Sequence, residues 1–228
     1  MAGWKKHNQL WGLIMKVLEN LFHRRKKIMA HKIVVIDPGH GGSQSGGVNK
    51  KFGYKEKDIV LKVAKYMLEY GSDKYSDTII WDATRLSDTT KSLQGRCDMA
   101  NNNKADIFIS IHTNARVLKG RYGLEIETYH HEGSYTGRML AEIVQRNLVS
   151  DENALPTIDR GVKIGKRWSK KKQKWMSFYV LKYTHMPAVL VELGFLSDDE
   201  EAELLSKEAY QMTAARVLVD SLGEFFKV

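Results

Sequence analysis

The stretch "VVIDPGHGG", Val34 to Gly42, decides how this chain is read. Val34, Val35 and Ile36 are β-branched and suit a buried strand, whereas Asp37, Pro38, Gly39, Gly41 and Gly42 are turn formers. A strand giving way to a loop within a residue or so is therefore predicted. His40 then stands at the carboxyl end of a parallel strand, the edge of an open α/β sheet at which ligands bind. Glycines on both sides let the backbone come close to whatever the imidazole touches. A single histidine in such a turn is most often an ordinary surface residue, so partners elsewhere decide its meaning.

Two more apolar runs end in the same way: "ADIFISIHTNA" carries His112 and "PAVLVELGFLS" carries Glu192. "DTIIW" and "GLEIETY" also read as strands. Helices are predicted in "EKDIVLKVAKYMLEY", with its stripe of Ile59, Val60, Val63, Ala64, Met67 and Leu68, and in "SLQGRCDMANNN", with Ser92 as N-cap. "GRMLAEIVQRNLV" places Met139, Leu140, Ile143, Val144 and Leu148 on one helical face, and a long helix is predicted from about Asp199 to Phe226. Strands alternating with helices predict a single α/β domain over residues 31–228, with a mostly parallel sheet and helices on both faces.

Such a sheet brings His40, His112 and Glu192 to one edge, and Glu56, which opens the helix after the His40 loop, can fold back toward it. Two imidazoles and one carboxylate with a fourth position open make a catalytic rather than a structural zinc site. Zinc there lowers the pKa of bound water toward about 7. A second carboxylate, off the metal, can carry the water's proton to a leaving nitrogen. Singly, each acid has a plainer reading: Glu56 as a first-turn acid favoured by the helix dipole, Glu192 as a buried partner of an arginine.

Bulk properties bound the alternatives. With 228 residues, 43% hydrophobic and three prolines, the chain is neither disordered nor collagen-like. A lone cysteine, Cys97, excludes an intramolecular disulfide framework and a cysteine-rich zinc knuckle, and is read as a packed helix residue. The net charge of +9 favours anionic partners: nucleic acid, acidic lipid or wall polymer. Basic residues cluster in "HRRKK" (His23 to Lys27) and "GKRWSKKKQKW" (Gly165 to Trp175). Residues 1–30 are predicted to form a basic amphipathic helix, apolar at Leu10, Ile14, Val17, Leu18 and Leu21. It falls short of the roughly 18 to 20 apolar residues of a span, so docking on the domain, a membrane-surface role and self-association stay open. No cleavage pattern of small residues follows it, and Met29 is a second candidate start.

Ordered motifs make the chain familiar. From about Lys32 onward it resembles the zinc-dependent N-acetylmuramoyl-L-alanine amidases of the amidase-3 type, through "IDPGHGG", the glutamate of "GYKEKDIVLKVA", Thr84 and Arg85, "LQGRCDMAN", "SIHTNA", "GLEIET", "RGVK" and "FYVLKYTHMPAVLVELGFLSD". The resemblance implies a twisted sheet of about six strands, as in zinc exopeptidases, and hydrolysis of the amide between N-acetylmuramic acid and L-alanine of peptidoglycan. It implies His40, Glu56 and His112 as ligands of one Zn2+ and Glu192 as general base and acid. Arg85, Arg96, Asn114 and Lys182 are candidate substrate contacts, with loop tying the favoured role of the two arginines and loop shaping that of Asn114.

Departures from the family pattern are local. Lys182 stands where arginine is frequent and Asp198 where asparagine is, and "IGKRWSKKKQKWMS" has no counterpart. Its Lys and Arg interleaved with Trp168 and Trp175 suit an anionic polymer bearing sugar rings, the plain alternative being a solvated loop. The short link "HHEGSYT" leaves no room for the inhibitory helix of some relatives, which implies a site that needs no activator protein. The expected setting is synthesis in a bacterial cytoplasm without a cleaved signal and action at the wall after release, as for a phage lysin or a mother-cell enzyme. A zinc peptidase cutting another stem-peptide bond is the alternative enzyme. Nucleic acid is not an expected partner, for want of an HTH, OB or RRM pattern.

Overall fold

The β-branched run opens strand β1 (Lys32–Pro38), buried from Val34 onward. The computed structural model describes residues 31–115, 124–153 and 155–228, so the predicted N-terminal helix lies outside the described residues. After β1 come α1 (Glu56–Lys74), β2 (Ile79–Ala83), α2 (Leu93–Asn102), β3 (Ile107–Asn114), β4 (Leu124–His130) and α3 (Tyr135–Leu148). They are followed by β5 (Thr157–Ile164), β6 (Lys166–Ser169), β7 (Lys174–Ser177), α4 (Tyr179–Tyr183), β8 (Ala188–Phe195), α5 (Asp199–Ser206) and α6 (Glu208–Phe226).

Six strands form one sheet in the order β2-β1-β3-β8-β4-β5, with β4 antiparallel to β8 and every other pair parallel. Side chains alternate across it, as period two demands. Val34, Ile36, Ile109 and Val191 pack with α1, α3, α5 and α6, while Val35, Phe108 and Leu190 pack with α2 and α4. Parallel strands covered on both sides explain why β1 and β3 read as unbroken apolar runs. Ser92 caps α2 as predicted, its Oγ accepting from Gly95 N–H at 3.0 Å. Cys97 is fully buried, and that burial pushes its thiol up to about 11.

Several expectations are corrected. Asp37 and Pro38, read as turn formers, complete β1, because Asp37 is drawn into a buried polar cluster. Met139 is exposed on α3, whose buried side is Leu140, Ala141, Val144 and Leu148. The long terminal helix is two helices, broken at Lys207, which is extended (φ −71°, ψ 129°). The break leaves carbonyls at the end of α5 without helical partners, and the Gln211 Nε2 of α6 donates to the Leu205 carbonyl at 2.8 Å. The basic insertion is a hairpin, with Trp168 opposite Trp175 and their rings 5.8 Å apart at 73°.

Candidate active site

Each candidate ligand sits where an element ends or begins, and a web of buried polar bonds holds those ends together. His40, two residues beyond β1, takes φ 59°, a left-handed conformation that costs most side chains energy. Its carbonyl accepts from Arg96 Nη2 at 2.6 Å, which helps hold that conformation. His112 lies near the end of β3, and Glu56 is the first residue of α1, only 3% exposed. A Cβ on Gly39 would fall 2.3 Å from the His112 ring, and one on Gly46 (φ 68°) 2.4 Å from Glu56 Oε2. The glycines of the motif are therefore demanded by the rings and carboxylate packed against them.

The buried Asp37 carboxylate organises this region. It accepts from Thr84 Oγ1 at 2.5 Å, Arg96 Nη1 at 2.6 Å and Ser110 Oγ at 2.7 Å, linking the end of β2, helix α2 and strand β3. Arg96 also donates to the Pro38 carbonyl at 2.8 Å, and Arg85 donates to the carbonyls of Pro38 (3.0 Å), Gly39 (2.8 Å) and Lys57 (2.8 Å). Both arginines thus tie the His40 loop to neighbouring elements. Asp37→Ala would leave Arg96 as an uncompensated buried cation, which costs about 3–5 kcal/mol. Urea unfolding should show a loss of that order, and a midpoint unchanged from the parent would remove Asp37 from this role.

The site itself brings three donors together. His112 Nδ1 lies 2.8 Å and His40 Nε2 3.2 Å from Glu56 Oε1, and the possible ligand atoms of the three residues all fall within 4.8 Å of one another. Burial raises the Glu56 carboxyl, but hydrogen bonds from His112 and His40 outweigh it and hold the group well below the usual carboxylate range. Burial pulls His112 down, and the Glu56 carboxylate more than reverses that, so the imidazole is raised. An ionised carboxylate that favours protonated imidazoles equally favours a divalent cation held by the neutral rings, so this donor set fits a metal.

Glu192 is opposite His112 in the β3–β8 register and lies in mid-strand rather than at the strand end expected. Its Oε2 is buried without a hydrogen-bond partner among the described residues, and burial pushes the carboxyl up to about 8 against the opposing pull of His112. On the other side its register partner is Glu127, which accepts from Arg160 Nε and Tyr129 OH and pairs with Lys163 Nζ at 2.8 Å. Sequence reasoning missed this acid. Alternation in "GLEIETY" puts Glu125, Glu127 and Tyr129 on one face, and the arginine and lysine of "RGVK" neutralise both glutamates from β5.

A cleft of about 670 Å³ opens over these groups, lined among others by His40, Arg96, His112 and Glu192 and by Arg167 and Met176 of the hairpin. Asn114 ends β3, its carbonyl accepting from Leu196 N–H at 2.8 Å and its buried Nδ2 without a partner among the described residues. Lys182 lies outside the cleft lining: it is exposed on α4, its ammonium 5.2 Å from the centre of the Tyr183 ring.

Comparison with known proteins agrees with this geometry. The chain is 36% identical over 198 residues to YqiI, an uncharacterised protein of Bacillus subtilis, covering 86% of this chain and 85% of that one. It is 32% identical to the Bacillus subtilis N-acetylmuramoyl-L-alanine amidase LytC, over 89% of this chain but only 37% of LytC. The crystal structure of an N-acetylmuramoyl-L-alanine amidase from Clostridium difficile 630 superposes with a TM-score of 0.75 at 32% identity, covering 86% of this chain and 97% of that one. Residues 34–224, from the first buried valine of β1 to near the end of α6, match the amidase-3 family model, and the chain belongs to the N-acetylmuramoyl-L-alanine amidase family.

Proposed function

We propose that this protein hydrolyses the amide joining the lactyl group of N-acetylmuramic acid to L-alanine in peptidoglycan, using Zn2+ held by His40, Glu56 and His112. The carrying observation is the meeting of those three donors from separate elements, with Glu192, its buried Oε2 unpartnered among the described residues, in register with His112. When bound, zinc polarises the amide carbonyl and makes hydroxide available near neutral pH. Glu192 takes the proton of the attacking water and delivers it to the leaving alanine nitrogen, a task that suits a carboxyl with an affinity for protons raised by burial. Glu56 Oε1 lies within 3.2 Å of one ring nitrogen of each imidazole, so the three donors are gathered at one point before a metal would bind. The Asp37–Arg96 pair keeps the His40 loop in its left-handed turn before substrate arrives, so no ordering cost falls on the reaction.

Only residues 131–134 join β4 to α3, which supports a cleft open without an activator protein. Purified full-length protein alone should release stem peptides from purified peptidoglycan, with new amino-terminal L-alanine seen by mass spectrometry. The cleavage should vanish with chelator and return with zinc. Termini at another stem residue would identify a zinc peptidase instead, and chelator-resistant cleavage would overturn the metal assignment.

A further inference from the structure

We infer that the β6–β7 hairpin completes the cleft as an anion subsite, in which Arg167 and Lys172 hold a carboxylate of the substrate's stem peptide. This rests on the amidase reading and specifies how the same site selects its substrate. In the hairpin register Arg167 faces Met176 and Trp168 faces Trp175, so period two divides the ribbon into two surfaces. Arg167, Ser169 and Met176, with Lys172 from the tip, line the cleft that also contains His112 and Glu192. Trp168 and Trp175, 47% and 60% exposed, are absent from that lining.

The cations of the cleft differ in what they are free to do. Arg96 is committed to Asp37 and to backbone carbonyls; outside the lining, on β5, Arg160 and Lys163 are committed to Glu125 and Glu127. Arg167 and Lys172 have no ion-pair partner among the described residues, although Lys166 beside them pairs with Glu132. Two cations without an ion-pair partner among the described residues therefore line the same cleft as Glu192, together with the apolar Met176, Phe178 and Leu190. A guanidinium fork beside apolar walls suits a planar carboxylate. The stem peptide, attached at the scissile amide, is the acidic chain that must lie in this space. A phosphate polymer would instead meet the exposed Lys170 and Lys171 and the outer tryptophans.

The test is binding without turnover. Zinc-loaded full-length E192Q is titrated by calorimetry with a muramyl peptide bearing a free stem carboxylate and with its carboxamide. E192Q should bind the free acid about tenfold more tightly, the effect of one charge-assisted contact. Adding R167Q and K172Q should bring the ratio to about one at an unchanged unfolding midpoint, and adding R167K with Lys172 intact should keep part of it. Equal binding of both ligands by E192Q, or a preference that survives R167Q and K172Q, would overturn the subsite. So would a loss confined to a glycerol-phosphate oligomer, which would assign the hairpin to wall polymer. Because no bond is cleaved, failure of the digestion experiment and failure of this one are separate results.

Discussion

Glu192→Gln should lower turnover of peptidoglycan by about 10²- to 10⁴-fold, the range associated with a positioned proton carrier, while zinc content stays at one per chain. The amide keeps the shape of the side chain and loses only its capacity to take a proton. The same substitution should stabilise the metal-free protein at alkaline pH. Burial raises the folded carboxyl to about 8, against about 4.3 in an unfolded chain. Between those values the folded state binds more protons, so this group's contribution to stability falls as pH rises. Glutamine has no such proton, and the advantage of the variant in urea midpoint should grow from pH 5 to pH 8. Turnover near the parent level would remove Glu192 from proton transfer, and parallel pH profiles would show that burial does not perturb it.

His112→Ala should remove both metal and activity. It deletes one of three donors, and metal affinity should fall by at least about 100-fold, since loss of a mere outer-shell partner costs about 10- to 100-fold. Zinc measured after dialysis should be well below one per chain. Glu56 should respond too, because His112 is the first of the two histidines that hold its carboxyl low. A depressed carboxyl contributes stability that is present above its unfolded pKa and lost as pH falls, so the metal-free variant should lack part of the acid-dependent loss shown by the parent. Full zinc occupancy in His112→Ala would exclude the residue from the ligand set.

Much of the site is legible in sequence because its parts sit at strand and helix boundaries, which leave local marks. Glycines around His40, the end of the apolar run at His112 and the start of an amphipathic stripe at Glu56 are such marks. Asp37 shows why the reading stops short: its residue type signals a turn, yet Thr84, Arg96 and Ser110 make it a strand residue. Glu127 was obscured differently. An acid in an alternating strand reads as solvent-facing, and only the β5 cations brought over it explain its burial.

The sequence by itself determined the α/β class and the order of most strands and helices, and it singled out His40, Glu56, His112 and Glu192 as candidates, since hydrophobic periodicity and turn composition are local properties. The tertiary structure alone decided the antiparallel β4–β8 pairing, which sets Glu127 beside Glu192, and the break at Lys207. It alone turned a basic loop into a hairpin with a cationic cleft face and an aromatic outer face. These depend on which distant side chains arrive to satisfy a buried charge or an open backbone group, and that pairing is written in three dimensions.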